Sequence, residues 1–424
     1  MVRELRQLLR RALRAAWWTV TLQLPRRLKE RGWYAAQKLS LREQARPVAV
    51  VIDDRWPEPD RDSGSLDAIN LIDSLVTFGY YTIVAKSTGL AQEPRYLRLL
   101  REKGAMPYEP QGVASVRALI QRHAKDVSVF ILTRMGAGGQ FFELIRENAP
   151  DARLIFNAVD LHFLREARAA LISDDRAALK QAARTRGREK FLAAHADLTI
   201  IVSDTERDIL AHAVPGAKLL HLPLARQLHR PRLGFQDRVG IGFVGGFAHQ
   251  PNIDAMRYFL AEIWPQVDAA LPGVAFDIVG AGLPPDVLSG VPGNVRYLGP
   301  IDDLNSWLDG LRLSVAPLRF GAGAKGKVAS SLCVGLPCVA SPVATEGMGL
   351  ISGKEILVAP TEAEFSAQIV RLYSDPELWE KISSGAWRFA EEALSVQRFQ
   401  AQLRNALFEL NLPALPKAVA GAEV

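Results

Sequence analysis

Short apolar runs alternate along this chain with longer segments in which apolar positions recur every three or four residues. The short runs are typical of buried strands, and the longer segments are typical of helices with one buried face. In the first half of the chain the pattern predicts strands at 48–52, 81–85, 127–132, 153–157, 198–202 and 219–222. Between them it predicts helices at 66–78, 113–124, 139–148, 176–194 and 204–213.

A second series of strands follows an arginine-rich linker near residues 230–237, at 239–244, 276–279, 295–297, 313–316, 338–340 and 356–358. Regular alternation of strands and helices is typical of parallel sheets with crossover helices. We therefore predict an α/β protein with two doubly wound, Rossmann-like domains that face a cleft, where ligands bind at strand carboxyl ends. The domains are predicted at 47–234 and 235–412, the second with closing helices, and 413–424 is predicted to be a disordered tail.

The composition is that of a globular protein, since 48% of the 424 residues are hydrophobic and 23% are charged. This length allows two domains, each with its own core. The two cysteines, Cys333 and Cys338, fall on a predicted helix and on the strand after it. They have neither zinc-ligand spacing nor a disulfide framework around them, so we expect core thiols, a reducing cytoplasmic location and no metal site.

The positive charge of the chain is concentrated at its start. Residues 1–46 hold 12 Lys and Arg against three acidic residues, a net charge of +9, whereas the remaining 40 basic and 43 acidic residues give −3. Within this segment apolar residues recur at helical spacing and most arginines fall on the other side. A basic amphipathic helix of this kind, with Trp17 and Trp18 on it, predicts a peripheral contact with an anionic membrane surface.

Other interpretations of residues 1–46 are weaker. The apolar run at 15–24 is about half of the roughly 20 residues that a transmembrane helix needs. A signal peptide would require a cleavage site with small residues, and none follows the run. A nucleic-acid-binding arm is disfavoured because no basic face continues into the globular part. A helix that packs on the body of the protein stays open.

The most distinctive segment is the glycine-rich loop at 321–327, which precedes a short predicted helix and a Gly-Leu-Pro turn into an apolar strand. Glycines allow the backbone to approach a ligand closely, and a helix start presents unpaired N–H groups. Lys325 and Lys327 add two positive charges at the same place. This arrangement favours a diphosphate ligand over a plain glycine-rich connection.

Gly240, Gly242 and Gly245 have the spacing of a dinucleotide-binding fingerprint. That fingerprint follows a strand and opens a helix. Here the glycines lie in or directly at the end of the predicted strand at 239–244, and the next helix begins only near Asn252. A nicotinamide-dependent enzyme is therefore disfavoured.

Several further motifs occur in order over residues 239–405. They are FVGGFAHQPNIDA at 243–255, FDIVGAG at 276–282, VRYLGPI at 295–301, SVAPLR at 314–319, the glycine-rich loop, and ATEGM at 344–348. As a set they resemble the C-terminal half of a family 4 glycosyltransferase, a nucleotide-sugar-dependent enzyme with the two-domain GT-B fold. The N-terminal half matches less densely, through VIDDRWPEPDRDSGS at 51–65 and NAVDLHF at 157–163.

This resemblance implies transfer of a sugar from a nucleotide-diphosphate sugar to a glycan or lipid-linked acceptor. It further implies retention of configuration, no metal or other cofactor, and a role in bacterial cell-surface polysaccharide synthesis at the inner face of the cell membrane. Two alternatives stay open: a catalytically degenerate GT-B protein that binds a nucleotide sugar or a partner, and a GT-B epimerase.

In the resembling family the C-terminal domain holds the donor. The positions that match its phosphate and donor site are Gly245, Gly246, Arg319, Gly323, Lys325, Lys327, Ser330 and Glu346, and those that match the base pocket are Tyr297, Gly299 and Ile301. Family members often carry Arg or Lys just after the first glycine pair, where this chain has Phe247, Ala248 and His249. Arg319 and the two lysines are therefore expected to supply the positive charge, with Arg319 and Lys325 in catalytic roles. Core packing explains Tyr297 and Ile301 about as well.

The N-terminal domain of the family presents the acceptor. Ser63, Gly64 and Ser65 resemble its loop near the donor phosphates and the acceptor, although helix capping is an adequate explanation of both serines. Asp160 and His162 follow a predicted strand and resemble the place where the family often has a histidine beside the donor sugar. Both are candidate catalytic residues.

The largest departure from the family concerns a pair of carboxylates. Family members commonly have a Glu-x7-Glu pattern whose second Glu lies seven residues before the proline of the Gly-x-Pro turn. Counting back from Pro337 gives Ser330 and Ala322, so both carboxylates are absent. Because the second usually binds ribose hydroxyls, we expect weaker donor binding. Glu346 is a candidate replacement, and a residue at the start of a helix is an equally good interpretation of it.

Overall fold

The computed structural model of the chain describes residue 41 and residues 44–414. The predicted amphipathic helix of residues 1–46 therefore lies almost wholly outside the described residues, as does most of the tail predicted to be disordered. In the part that is described, no helix has the length and hydropathy needed to cross a bilayer.

The N-terminal domain is built on the strands β1 (Val48–Asp53), β2 (Tyr81–Lys86), β3 (Met106–Tyr108), β4 (Val129–Thr133), β5 (Arg153–Asn157), β6 (Leu198–Ile201) and β7 (Leu219–His221). All seven are parallel, in the order β3-β2-β1-β4-β5-β6-β7. The connecting helices are α1 (Ser63–Thr77), α2 (Pro94–Glu102), α3 (Val113–His123), α4 (Phe142–Asn148), α5 (His162–Ile172), α6 (Arg176–His195) and α7 (Asp204–Ala213).

The central strands are continuous apolar runs because helices cover both faces of the sheet. In β1, Val50 and Ile52 pack into one core, whereas Ala49 and Val51 pack into the core on the opposite face.

The C-terminal domain contains β8 (Ile241–Val244), β9 (Phe276–Val279), β10 (Val295–Gly299), β11 (Leu313–Ala316), β12 (Cys338–Ala340) and β13 (Leu357–Val358), in the parallel order β10-β9-β8-β11-β12-β13. Its helices are α8 (Gln250–Tyr258), α9 (Trp264–Ala270), α10 (Leu304–Gly310), α11 (Gly326–Leu332), α12 (Pro342–Thr345), α13 (Glu362–Ser374) and α14 (Pro376–Ala393). Cys333 and Cys338 are buried free thiols in its core. The predicted pair of doubly wound domains is confirmed.

Three elements of the N-terminal domain were not predicted. β3 is a three-residue edge strand that contains Pro107, and such a short run has no periodicity to detect. α2 carries three arginines and buries only Tyr96 and Leu100, so its apolar face is narrow. α5 buries only Ala170 within its length, which leaves a weak apolar pattern.

The last helix, α15 (Val396–Glu409), does not pack where the sequence placed it. Residues up to 412 were assigned to the C-terminal domain, but Phe399, Leu403 and Leu407 lie in the core beneath the N-terminal sheet. An apolar helical face determines that a helix is buried, but not which of two domains covers it. The chain thus crosses back to the N-terminal domain at its end.

We predict that Leu403→Ala destabilises the N-terminal domain by about 2–5 kcal/mol, because a fully buried leucine is replaced by a cavity. Phe408→Ala is the matched control on the same helix, since Phe408 is 49% exposed and should cost much less. Urea unfolding followed by circular dichroism measures both. Equal losses in the two variants would contradict the packing of α15 on the N-terminal core.

Candidate functional site

The glycine-rich loop lies between β11 and α11, at the carboxyl edge of the C-terminal sheet. Lys325 is 7% exposed, and its Nζ donates to the carbonyl oxygen of Ala322 at 3.2 Å and to that of Gly323. The Nζ of Lys327 donates to Oδ1 of Asn252 at 2.9 Å and lies 5.4 Å from the centre of the Phe243 ring. Neither lysine forms a salt bridge with a carboxylate of the described residues.

Burial shifts the pKa of both lysines. It lowers the pKa of Lys325 below the usual range of a lysine. It also lowers the pKa of Lys327, to about 8, and the positive charge of Lys325 adds to this shift. Two partly desolvated ammonium groups on one loop gain free energy when an anion binds beside them.

Gly245 and Gly246 follow β8 and complete the C-terminal side of the site. Asn252 joins them to the lysine loop, since its Nδ2 donates to the carbonyl oxygen of Gly246 at 2.7 Å while its Oδ1 accepts from Lys327. A Cβ on Gly245 would lie 2.9 Å from the Asn252 side chain, so this packing requires glycine. The predicted partners Gly245, Gly246 and Lys327 are therefore brought together.

The start of α1 in the other domain contacts the start of α11. A Cβ on Gly326 would lie 1.8 Å from Oγ of Ser63, so only glycine fits there. The guanidinium of Arg226 donates to Oγ of Ser63, which fixes that hydroxyl at the contact. Arg226 is itself held by an ion pair with Asp67.

The cap of α1 is Asp62, rather than either predicted serine. Its carboxylate accepts the backbone N–H of Ser65 at 2.8 Å and the hydroxyl of Ser65 at 2.7 Å. Ser65 is buried by these contacts, so it is a structural residue. A Cβ on Gly64 would lie 3.2 Å from Nη2 of Arg134.

Arg134 follows β4 and was not identified from the sequence. Its φ of 59° is unusual for a non-glycine residue, and such strain is common at functional sites. Its Nη1 donates to Oδ2 of Asp53 at 2.6 Å and to Oδ1 of Asp54 at 3.3 Å. Burial raises the pKa of Asp53 to about 6, although the charge of Arg134 opposes the shift. The consecutive aspartates after the first strand were the available signal.

Asp160 and His162 lie at the carboxyl end of β5, as predicted. Nε2 of His162 is 3.3 Å from Oδ1 of Asp160, and Arg165 pairs with the other carboxylate oxygen. Burial alone would raise the pKa of Asp160, but the hydrogen bond from His162 and the charge of Arg165 outweigh it and lower that pKa to about 2. A Cβ on Gly323 would lie 3.1 Å from Cβ of Asp160. The loop of residues 158–162, which we call the histidine loop, therefore touches the glycine-rich loop, also called the lysine loop, across the domains.

Glu206 joins these two loops and was missed. Its Oε2 accepts the N–H of Leu161 at 3.0 Å, and its Oε1 accepts the N–H of Gly323. Burial raises the pKa of Glu206 to about 7, and the negative charge of Asp160 adds to the shift. The sequence showed only a Ser-x-x-Glu pattern at Ser203, which is the signature of a helix cap.

Glu189 supports the histidine loop from α6 and was also missed. Its two carboxylate oxygens accept the N–H groups of His162 at 2.9 Å and Phe163 at 3.1 Å, at the start of α5. Burial raises the pKa of Glu189 to about 7. Nothing in the sequence distinguished it from a surface residue of a basic helix.

Glu346 is bound by the N-terminal domain. Nη1 and Nη2 of Arg168 donate to its two oxygens at 2.6 and 2.8 Å, and Nη1 also donates to the carbonyl oxygen of Gly321 at 2.8 Å. Arg168 therefore connects α5 to the start of the glycine-rich loop and to Glu346.

Arg319 does not join the lysines. Its Nε donates to Oδ2 of Asp254 at 2.9 Å, its guanidinium lies 5.2 Å from the centre of the Tyr258 ring, and its side chain is 43% exposed. Its charge is thus compensated on α8. Ser330, on α11, is partly exposed and provides no carboxylate near the loop.

The predicted base pocket lies around β10. The hydroxyl of Tyr297 donates to the carbonyl oxygen of Gly280 at 2.7 Å, and its ring packs edge-on against Phe247 at 6.4 Å between centres. The carbonyl oxygen of Gly299 accepts the N–H of Gly280 at 2.9 Å, so that oxygen is already used within the sheet edge. Tyr297 is 36% exposed, and Ile301 is partly exposed.

In the described part of the chain, no group of three or more His, Cys, Asp or Glu residues is arranged to hold a metal ion. The charged groups near the contact between the domains are instead Lys325, Lys327, Glu346 in its pair with Arg168, and the buried Glu206.

We predict that Glu206→Gln flattens the pH dependence of stability. The pKa of Glu206 is raised in the folded chain, from 4.5 to about 7, so the stability linked to its protonated form is present below pH 4.5 and is lost as the pH rises through 7. Glutamine does not ionise, so the variant does not lose this stability as the pH rises. The difference in the free energy of unfolding is about 3 kcal/mol at most.

Urea unfolding at about pH 5 and about pH 7.5 measures the effect, with the exposed Glu102→Gln as the control. The control should keep the pH dependence of the wild type. An unchanged slope in Glu206→Gln would contradict the burial of an ionisable carboxyl at the domain contact.

Residues 238–375 match the protein family described as glycosyl transferases group 1. No curated protein matches the chain significantly by sequence. Among solved structures, sucrose-phosphate synthase from Thermosynechococcus elongatus is similar with a TM-score of 0.68 and 14% identity, covering 86% of this chain and 99% of its own. HepE from Anabaena, in complex with UDP and glucose, has a TM-score of 0.64 and 14% identity over 86% of this chain and 100% of its own.

A glycosyltransferase from Rickettsia africae has a TM-score of 0.62 at 10% identity and covers 87% of this chain and 99% of its own. At such identities the structures establish the shared two-domain fold. The C-terminal domain is therefore similar to the group 1 glycosyl transferases over residues 238–375, and the chain as a whole has the two-domain GT-B fold.

Proposed function

We propose that the protein transfers a sugar from a nucleoside diphosphate sugar, bound between the domains, to a glycan or lipid-linked acceptor. The observation that carries this proposal is the pair Lys325 and Lys327 on the glycine-rich loop, the first buried and the second half-buried, both without a carboxylate salt bridge among the described residues. Their hydrogen-bond partners are carbonyl and amide oxygens, which a phosphate oxygen can replace. A diphosphate supplies the two negative charges that this loop lacks.

The chemistry requires charge stabilisation where the sugar leaves. As the bond between the anomeric carbon and the diphosphate oxygen breaks, negative charge grows on the diphosphate, and Lys325 and Lys327 stabilise it. The acceptor hydroxyl forms the new bond to the anomeric carbon, and its proton passes to the leaving diphosphate oxygen. In this scheme the configuration is retained, and the lysines carry the role that a metal ion would otherwise have.

His162 is proposed to contact the donor sugar. Its ring is oriented by Asp160, and its backbone N–H is held by Glu189, so both ends of the residue are fixed. With a side chain that is 18% exposed, the ring keeps a surface for a ligand. A preorganised polar group of this kind gains most when it contacts the transition state.

Glu346 is proposed to take the place of a missing carboxylate. Ala322 and Ser330 leave the loop without acidic residues, whereas Glu346 is held beside Gly321 by Arg168. A carboxylate fixed by two hydrogen bonds keeps lone pairs that can accept from sugar or ribose hydroxyls. Arg319 is omitted from the catalytic set because Asp254 binds it.

The structural neighbours support the type of donor. HepE was solved in complex with UDP-glucose, and another neighbour, TarM, was solved with UDP and a glycerol-linked N-acetylglucosamine. By analogy we propose a UDP-sugar or related donor here, and a role in cell-surface polysaccharide synthesis in a bacterium. Residues 1–46 are proposed to hold the enzyme peripherally at the inner face of the membrane through their net charge of +9.

We predict that Lys325→Ala and Lys327→Ala each weaken binding of UDP, because each removes a charged hydrogen bond worth roughly 1.5–3 kcal/mol. Calorimetry with UDP measures the loss, and Lys381→Ala, an exposed lysine on α14, is the control. Binding by the double variant that equals wild-type binding would remove the central claim. Circular dichroism checks that both variants fold.

We further predict that His162→Ala lowers kcat by roughly tenfold with a smaller change in KM, since the lost contact strengthens in the transition state. Release of UDP from a matched donor and acceptor is the assay, and His195→Ala, whose ring stacks on Phe191, is the control. If the wild type binds donor tightly yet transfers to no acceptor of its own glycan pathway, the non-catalytic alternative is correct.

A further inference from the structure

The hairpin formed by α5 and α6 has an exposed apolar tip. Leu171 is 68% exposed and Ile172 is 48% exposed, and they are consecutive at the end of α5. Exposed aliphatic side chains are common singly, but an adjacent pair at the end of a helix needs an explanation. We call Leu171 and Ile172 the apolar tip.

A row of basic residues begins directly beyond this tip. Arg176, Lys180 and Arg184 follow one another at intervals of four residues on α6, so they lie on one face of the helix, and all three are exposed. None of them has a salt bridge or side-chain hydrogen bond to another described residue. We call these three residues the basic stripe.

The acidic residues around the stripe do not neutralise it. Asp175 is the cap of α6, and its carboxylate accepts the N–H groups of Ala177 and Ala178 at 2.8 and 3.0 Å. Asp174 lies in the turn, and Glu189, the one acidic residue within α6, is buried under α5. The other arginines of the helix are engaged elsewhere: Arg186 lies over the ring of Phe163, and Arg188 pairs with Glu143.

We propose that the apolar tip and the basic stripe together bind an anionic lipid surface. Leu171 and Ile172 would enter the boundary between headgroups and acyl chains, while Arg176, Lys180 and Arg184 pair with lipid phosphates. Aliphatic side chains beside a basic face favour a bilayer over a nucleic acid, which would be bound by charge and aromatic stacking. This contact is separate from residues 1–46.

Charge also disfavours two other partners for the apolar tip, namely residues 1–46 and a second copy of the chain. Residues 1–46 carry a net charge of +9 and would be repelled by the stripe, although their apolar face could otherwise cover the tip. A second copy of the chain would bring the same three positive charges against the first. An anionic bilayer is the partner that suits both the tip and the stripe.

The hairpin also connects this surface to the site. α5 begins at His162, contacts Gly321 and Glu346 through Arg168, and ends at the tip. Nine residues separate His162 from Leu171, which is about 13 Å along a helix. A tip in the headgroup region would thus hold the histidine loop within reach of a lipid-linked acceptor, and only this last step rests on the proposed function.

The first experiment measures flotation of the full-length chain with vesicles of equal parts phosphatidylglycerol and phosphatidylcholine. In R176Q/K180Q/R184Q we expect at least tenfold weaker binding, because each basic residue near an anionic surface contributes about fivefold. The control R98Q/R117Q/K381Q removes the same charge from exposed residues on other helices and should lose much less. Equal losses in both variants overturn the proposal in favour of a general charge effect.

The second experiment tests insertion of the tip. Leu171→Cys and, as control, Val239→Cys, which replaces a residue that is 64% exposed, are labelled with a dye that brightens in apolar surroundings. The native cysteines are buried and should stay unlabelled in the folded chain. We expect a gain on anionic vesicles at position 171 alone.

Other outcomes separate the alternatives. A dye at position 171 that brightens without vesicles indicates that residues 1–46 or a second copy cover the tip, and this overturns the proposal. A stripe variant that binds vesicles normally but loses binding to single-stranded DNA also overturns it. Sugar transfer to a soluble acceptor without vesicles should be unchanged in the stripe variant, so failure of the lipid contact and failure of the proposed enzyme activity are distinguishable.

Discussion

The buried carboxylate of Glu206 accepts one backbone N–H from the histidine loop and one from the glycine-rich loop, and the arrangement of the cleft depends on these two hydrogen bonds. Each N–H would be costly to bury without an acceptor. The bonds therefore fix Gly323 against Asp160 and hold the lysine loop to the N-terminal domain. Ser63, placed against Gly326, and Arg168, bound to Glu346, extend the same contact on either side.

The charges at this contact are balanced in an unusual way. On the C-terminal side Lys325 is buried and Lys327 is half-buried. On the N-terminal side Asp160 and Glu206 are buried, yet no salt bridge joins these lysines to these carboxylates. Burial lowers the pKa of both lysines and raises that of Glu206. Each shift reflects the cost of keeping a charge in partly desolvated surroundings, so a dianion bound beside the lysines would stabilise their charged form. The site is therefore suited to an anionic ligand by its desolvation as much as by its charge.

The sequence could predict much of this because local signals agreed with one another. Periodicity located nearly every strand, since strands buried on both faces are continuous apolar runs. The glycine loop and its lysines were predicted to be a phosphate site because glycine, lysine and a helix start lie together in the chain. The pairing of Arg319 with Asp254, 65 positions earlier in the chain, had no local signal in the sequence.

By itself, the sequence determined the two doubly wound domains and the glycine loop with Lys325 and Lys327, because each depends on short-range pattern. Only the tertiary structure decided that Glu206 joins the domains, that α15 crosses to the N-terminal core, and that Arg168 holds Glu346. It also showed Leu171 and Ile172 exposed beside a basic face. These features depend on which surfaces meet, and a contact between residues more than a hundred positions apart has no local signature in one sequence.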